Sequence, residues 1–215
     1  AYTFPGAMFN PTPNARRQLE LISPGRWPKF ASLEIIDGDT FPANWQGSIV
    51  TCDFRANRVT RFSLVDRGAG FATQQEDDLL RTAAATFRPI DVKQGPDGAL
   101  YIADWSNPII NHGEVDFRDA RRDRWHGRIW RVAWKGASKR PIADLTSASN
   151  SKLFDNLLVT DRYVREQSRR VIIERGPQLL PELDAWLATQ KTDTAALHSL
   201  WLHQAWRHAN LPLLD

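Results

Sequence analysis

Among 215 residues there is one cysteine, Cys52, one methionine and three tyrosines. A lone cysteine excludes an internal disulfide and any zinc or haem site built from several cysteines. No apolar run exceeds five residues. That is far short of the ~20 needed for a membrane-spanning helix, so no transmembrane segment is expected. The opening residues carry no basic stretch followed by an apolar core, so no signal peptide is expected in this chain. Charge of one sign is also missing. Twenty-eight Lys and Arg face twenty-five Asp and Glu, for a net charge of +3, without the one-sided basic excess that a nucleic-acid partner calls for. Nine tryptophans are present, which implies large flat packing elements or a surface that stacks on something.

Glycine is scarce at one end. The last 65 residues contain only Gly176 and three prolines. This shift divides the chain. In the first part the apolar runs are short and strand-like. Ser48 to Phe54 half-alternates, and Arg58 to Leu64 reads as an alternating strand with Val59, Phe62 and Leu64 as its apolar positions. A Gly-rich turn follows at Asp66 to Gly70. Gly95-Pro96-Asp97-Gly98 is turn chemistry, with glycine in the left-handed position. It separates a strand at 87–95 from a strand at 99–105, and a further strand is expected over 128–134. Short strands between turns indicate antiparallel β architecture. After a linker at 136–150, the period becomes helical. A short helix is expected from Lys152 to Val159, capped by Asn150 or Ser151. A second runs from the Asp161 cap to Arg175 and is stopped by Gly176-Pro177. A third spans Gln178 to Gln190, with Leu179, Leu180, Leu183, Trp186 and Leu187 on one face. A fourth, capped by Thr192 or Asp193, is expected to turn Leu197, Leu200, Trp201 and Ala205 inward. Antiparallel helices with tight breaks suggest a helical-repeat array.

Arg88 and Asp91 stand at the head of a buried-looking strand, where an unpaired charge is costly. Arg88 would bind an anionic group and Asp91 accept a proton, or the two would belong to a structural ion pair. Asp104 reads as an acceptor of backbone N–H groups in its turn. The long loop 105–127 carries His112 and Glu114. His112 would act as a general base, its unperturbed pKa being about 6.5, or it pins the loop. Asp116, Asp119 and Asp123 are oxygen donors suited to Ca²⁺, but their spacing fits no EF-hand. Arg118, Arg121, Arg122, Arg124 and Arg128 interleave with them, either as a self-paired network or as a phosphate or carboxylate site, with Trp125 and His126 placed to stack on a sugar ring or a base. His198, His203 and His208 recur every five residues, about 140° apart on a helix, and so share no face. Trp186, Trp201 and Trp206 read as packing between helices, and Cys52 as an inert thiol. The catalytic candidates are Asp91 and His112. The ligand-binding candidates are Arg88, Asn107, Arg118 and Arg121.

Several runs together are specific. They are Phe87-Arg88-Pro89-Ile90-Asp91-Val92, then Gly95-Pro96-Asp97-Gly98-Ala99-Leu100-Tyr101-Ile102-Ala103-Asp104-Trp105, the stretch from Asn107 to Asp123, and His126-Gly127-Arg128-Ile129-Trp130-Arg131-Val132. With Asp53 to Val59 and Gly68 to Phe71 upstream, they resemble the membrane-bound dehydrogenase family common in planctomycetes and related bacteria. The resemblance spans residues 20–135. It implies a β-propeller similar to quinoprotein glucose and sorbosone dehydrogenases, followed by HEAT-like helices and often a cytochrome c domain. The expected fold is therefore mixed: a partial propeller of antiparallel blades over 1–135, then truncated HEAT-like repeats over 151–215. The implied function is part of a sugar or alcohol dehydrogenase, with pyrroloquinoline quinone and Ca²⁺ as cofactors. The implied partners are the remaining blades, from the same precursor or another chain, and a sugar-like small molecule. The implied location is periplasmic or otherwise extracytoplasmic. No Cys-x-x-Cys-His haem motif occurs in this chain. The alternative is a non-catalytic module that binds protein or carbohydrate.

Overall fold

The computed structural model describes residues 29–111, 114–137 and 140–209. Two compact units emerge, one of them spanning 40–137 together with the chain up to Ile36, the other spanning 138–215 together with Asp37–Asp39. The first is antiparallel β and the second α-helical.

The first unit holds two sheets. β1 (Phe30–Ile35), β2 (Ile49–Asp53), β3 (Arg58–Arg67) and β4 (Gly70–Gln75) follow one another as an antiparallel meander, and the short β5 (Leu80–Arg81) also pairs with β3. β6 (Pro89–Gln94), β7 (Leu100–Asp104) and β8 (Arg128–Val132) form a second, three-stranded meander. Among the described residues neither sheet closes into a barrel or a propeller. The last strand ends at Val132, so Trp134 lies beyond it.

The main core lies between the sheets. Val50, Cys52 and Val59 from the first meet Val92, Leu100 and Ile102 from the second, with Ile36, Phe41 and Phe87. All five residues of β2 are buried, because Ile49 packs with Phe62 in a separate cluster on the opposite face. Val59 and Phe62 are three residues apart, so the two-residue period of a strand sends them to opposite faces. Their apolar set therefore serves two clusters rather than one alternating face.

β1 lacks a clear sequence signal because its period breaks. Its register with β2 shifts between Ala31 and Glu34, and Ser32 there has φ +61°. Positive φ is uncommon outside glycine. At the β6–β7 turn, Gly98 does adopt positive φ, +76°, and its N–H donates to the Gly95 carbonyl at 2.9 Å.

In the second unit, α1 (Asn150–Asn156), α2 (Arg162–Arg175), α3 (Leu180–Thr189) and α4 (Asp193–Ala205) surround a core that includes Leu153, Phe154, Leu157, Ile172, Leu183, Trp186 and Leu202. Side chains of Ser149, Asp161 and Thr192 accept the exposed backbone N–H groups at the starts of α1, α2 and α4. The α1 cap is thus Ser149, one residue before the expected pair, and the helix ends at Asn156. Gly176 at φ +96° stops α2. A 3₁₀ turn, Pro177–Leu179, delays α3 to Leu180.

The inward face of α4 differs from expectation. Ala195, His198, Ser199, Leu202 and His203 are buried, while Leu197 and Trp201 are about two-fifths exposed. Apolar residues surround this helix, so their spacing singles out no face, and two histidines occupy the core side. No described helix is long and apolar enough to cross a membrane.

Candidate functional site

Arg88 occupies the seam between the sheets and is 7% exposed. Its guanidinium donates to backbone carbonyls on both sides of that seam. Nη1 reaches Phe54 O at 2.8 Å in the β2–β3 hairpin. Nε reaches Asn107 O at 2.9 Å, and Nη2 reaches Pro108 O at 3.2 Å. Burial pushes the Arg88 pKa down, against the opposing attraction of Asp104. The cation is spent on carbonyl oxygens, so it clips two sheets together instead of facing a ligand.

Asp104, at the end of β7, completes the clip. Its Oδ1 accepts the backbone N–H groups of Arg88 and Ser106, each at 2.8 Å. Its Oδ2 accepts the Trp130 indole N–H at 3.0 Å and pairs with Arg128 Nε at 2.9 Å. Asn107 is buried and braces the loop. Its Oδ1 accepts Ile109 N–H at 3.0 Å, and its Nδ2 donates to Asp123 O at 3.0 Å.

Asp91 is placed differently. It follows the β6–β7 register shift and its side chain is half exposed. Its carboxylate accepts the Ser32 hydroxyl across the seam and Val92 N–H at 2.9 Å, with Lys93 Nζ 3.8 Å away. Beside it, Lys93 Nζ donates to Leu33 O at 3.3 Å. The buried carboxylate of Glu34 accepts Gln94 N–H at 3.0 Å. Thus β1 and β6 are stitched by side chains. Ser32 and Glu34 escaped sequence reasoning. The signal available was the Ile35-Ile36 pair running into the Asp37-Gly38 turn.

The loop after β7 is held by its own charges. Asp116, Asp119 and Asp123 each accept the backbone N–H two residues on, at 2.7, 2.9 and 3.0 Å. Arg121 grips Asp119 with two donors at 2.9 and 2.7 Å, which holds that carboxyl well below its usual range. The Trp125 backbone N–H, then His126, lower Asp123 despite some desolvation. Arg122 donates to Asn111 O and Val115 O, both at 2.8 Å, and lies over the Phe117 ring. Arg118 offers its backbone N–H to Asp116 and is exposed. His112 lies outside the described residues. Beside these charges the loop leaves aromatic surface uncovered. Trp125 is 88% exposed, and Trp105 and Ile129 line a recess of about 310 Å³ with Ile90, Asp104 and His126.

These residues do not fit the cofactors expected of them. A polycarboxylate quinone needs several free cations; Arg88 is spent on carbonyls and Arg121 pairs with Asp119, which leaves the exposed Arg118. Ca²⁺ takes about six to eight oxygen ligands, and the three aspartates turn toward their own backbone. Among the described residues no group of three metal-ligating side chains occurs.

In the helical unit, His203 and His208 do meet. Their Nδ1 atoms are 3.1 Å apart, and His203 Nε2 lies 3.2 Å from Asp184 Oδ1. His208 falls past the end of α4, where Arg207 has φ +55°, so helical spacing no longer governs it. Trp186 packs on Phe154 and donates to Asp155 at 3.0 Å. Trp201 instead faces a cavity.

A family model described as a domain of unknown function, DUF7133, matches residues 7–136. No curated protein and no solved structure matches the chain.

Proposed function

The chain belongs to the DUF7133 family, and from there we propose that it is the blade-and-helix part of a quinoprotein-like sugar or alcohol dehydrogenase. In this reading the two meanders are consecutive propeller blades and the helices a HEAT-like extension. Further blades come from the same precursor or another chain, since closed propellers have about four to eight. The observation that carries the reading is the seam. The first strands of two successive antiparallel meanders, β1 and β6, lie together and share Ser32, Asp91, Glu34 and Gln94 contacts. Inner strands of neighbouring blades would meet in this way.

The roles divide accordingly. Arg88, Asp104 and Asn107 brace the wall. Asp91, the half-exposed carboxylate with Ser32 and Lys93 beside it, would hold a proton at a substrate hydroxyl. The ligands of the quinone and of Ca²⁺ are not assigned to this chain.

The test is reconstitution of the protein, at the length its gene encodes, with the quinone, Ca²⁺ and an artificial electron acceptor. Sugar- or alcohol-dependent dye reduction is expected. Asp91→Asn should lower it by about 10²-fold or more, the usual contribution of a general base. Absence of both a quinone spectral change and dye reduction overturns the reading.

The second reading is a non-catalytic module for protein or carbohydrate. It is favoured by Arg88 being spent on backbone carbonyls, with Trp105 and Trp125 left exposed. Saturable binding of a neutral oligosaccharide, lost in Trp125→Ala, with no quinone uptake, would select it.

A further inference from the structure

A cavity of about 430 Å³ in the helical unit is lined by residues of the α1 end, α2 and α4. One wall is apolar: Leu157, Leu158 and Val159 on one side, Leu197 and Trp201 on the other. Leu158, Leu197 and Trp201 remain 36 to 43% exposed. Large apolar side chains left open around a recess of this size are what ligand sites present.

The other wall is cationic. Arg165 and Arg169, one helical turn apart on α2, reach the cavity together with Glu166. Arg165 is satisfied by the carbonyls of Val159 and Thr160 and lies 3.7 Å from Asp37. Glu166 pairs at 3.7 Å with Arg162. Of the charged side chains lining the cavity, two are guanidiniums and one a carboxylate, an excess of one positive charge. That excess sits on Arg169. Its Nη2 donates to Nδ1 of buried His198 at 2.7 Å, and its face covers Trp201 at 4.8 Å. It has no ion pair among the described residues, and its buried Nε has no hydrogen-bond partner there. His198 accepts through Nδ1 and is therefore neutral on that nitrogen, so it does not supply the missing negative charge. Arg169 is partly buried, and a partly desolvated cation gains from an anion that pairs it.

We propose that this cavity is a binding site for a small organic monocarboxylate with an apolar body, its carboxylate on Arg169 and its body between Leu158, Leu197 and Trp201. Arginine suits a carboxylate because its planar fork presents parallel donors. A phosphate would bring more charge than the single excess cation balances and would leave the apolar wall unused. The site lies outside the DUF7133 match, which ends at residue 136, and is independent of the dehydrogenase reading.

The test uses the whole chain and octanoate, with octan-1-ol as the uncharged control. Calorimetry should show saturable octanoate binding at one site, with a Kd below about 1 mM, and octanol at least about tenfold weaker, the worth of a charge-assisted hydrogen bond. The Trp201 indole N–H resonance should shift on addition. Arg169→Gln should weaken octanoate by about tenfold or more and leave octanol unchanged. Thr194→Trp, placed at the exposed start of α4 and away from the core, should block both ligands. It keeps the test decisive if Arg169→Gln fails to fold. Equal affinity for octanoate and octanol overturns the proposal, as does octanoate binding unaffected by Thr194→Trp. Self-association of the chain that Thr194→Trp abolishes and octanoate leaves untouched also overturns it, because the face would then be a contact between copies.

Discussion

The backbone N–H of Arg88 donates to Asp104 Oδ1 at 2.8 Å, locking the start of β6 to the end of β7. The same carboxylate also holds Ser106, Trp130 and Arg128 and is 3% exposed. Asp104→Ala would strand four donors at once. A loss of about 3 to 5 kcal/mol is expected, the range for breaking a buried charged network. Asp104→Asn keeps an acceptor oxygen and should lose less, about 1 to 3 kcal/mol. Urea unfolding would rank the variants, and an Asn variant as unstable as Ala would refute the account.

Arg88 makes a related prediction. Its guanidinium reaches carbonyls of Phe54, Asn107 and Pro108 from three nitrogens, a span that an ammonium cannot cover. Arg88→Lys should cost about 2 kcal/mol or more although charge is retained. A stability equal to wild type, by thermal or urea unfolding, would show that the carbonyl contacts contribute little.

Gly98 and Gly68 offer a comparison of two left-handed positions. Both have positive φ, +76° and +59°. A Cβ at Gly68 meets nothing within 4 Å, whereas one at Gly98 runs into the side chain of Thr40, whose hydroxyl donates to the Gly98 carbonyl at 2.8 Å. Gly68→Ala should therefore cost only the backbone penalty, about 1 kcal/mol. Gly98→Ala adds overpacking, for about 2 to 4 kcal/mol in total. Equal losses in the two variants would remove Thr40 from the explanation.

Some of this was legible in the chain itself. Asp161 and Thr192 announce α2 and α4 because a short acceptor side chain before a helical run has one obvious use. Gly176-Pro177 announces the stop for a similarly local reason. What escaped depends on distant partners or on broken periods. Whether Arg88 is free or occupied is decided by a carbonyl 34 positions away, at Phe54. β1 hides because Ser32 interrupts its alternation. The core side of α4 hides because His198, Ser199 and His203 face inward, while Leu197 and Trp201, the residues a hydrophobic pattern selects, line a cavity.

Cys52 tests the packing between the sheets. It is fully buried in the shared core, and burial, reinforced by the nearby charge of Asp91, pushes its thiol up to about 12. The thiolate is the reactive form. Labelling of the native protein by a disulfide reagent at pH 8 should run at least about 10³-fold slower than for an open thiol. It should become rapid and stoichiometric in guanidinium. Fast native labelling would mean that the seam between the sheets opens readily.

His198 couples the helical unit to pH. Burial, then the positive charges of Arg169 and Arg165, depress its pKa to about 4 from 6.5. Between those values the unfolded chain takes up a proton that the folded chain refuses. The stability it contributes is complete above about pH 6.5 and is lost as pH falls toward 4, with a slope of up to about 1.4 kcal/mol per pH unit for one proton. Carboxylates titrate in the same window, so the informative quantity is a difference. His198→Asn keeps an oxygen acceptor close to where Nδ1 receives Arg169 and removes the titration. Its stability should fall less steeply than wild type from pH 6.5 to 4.5 and match it in slope above pH 7. Identical slopes in the acid window would mean that His198 protonates as easily folded as unfolded, and that Arg169 does not need it neutral.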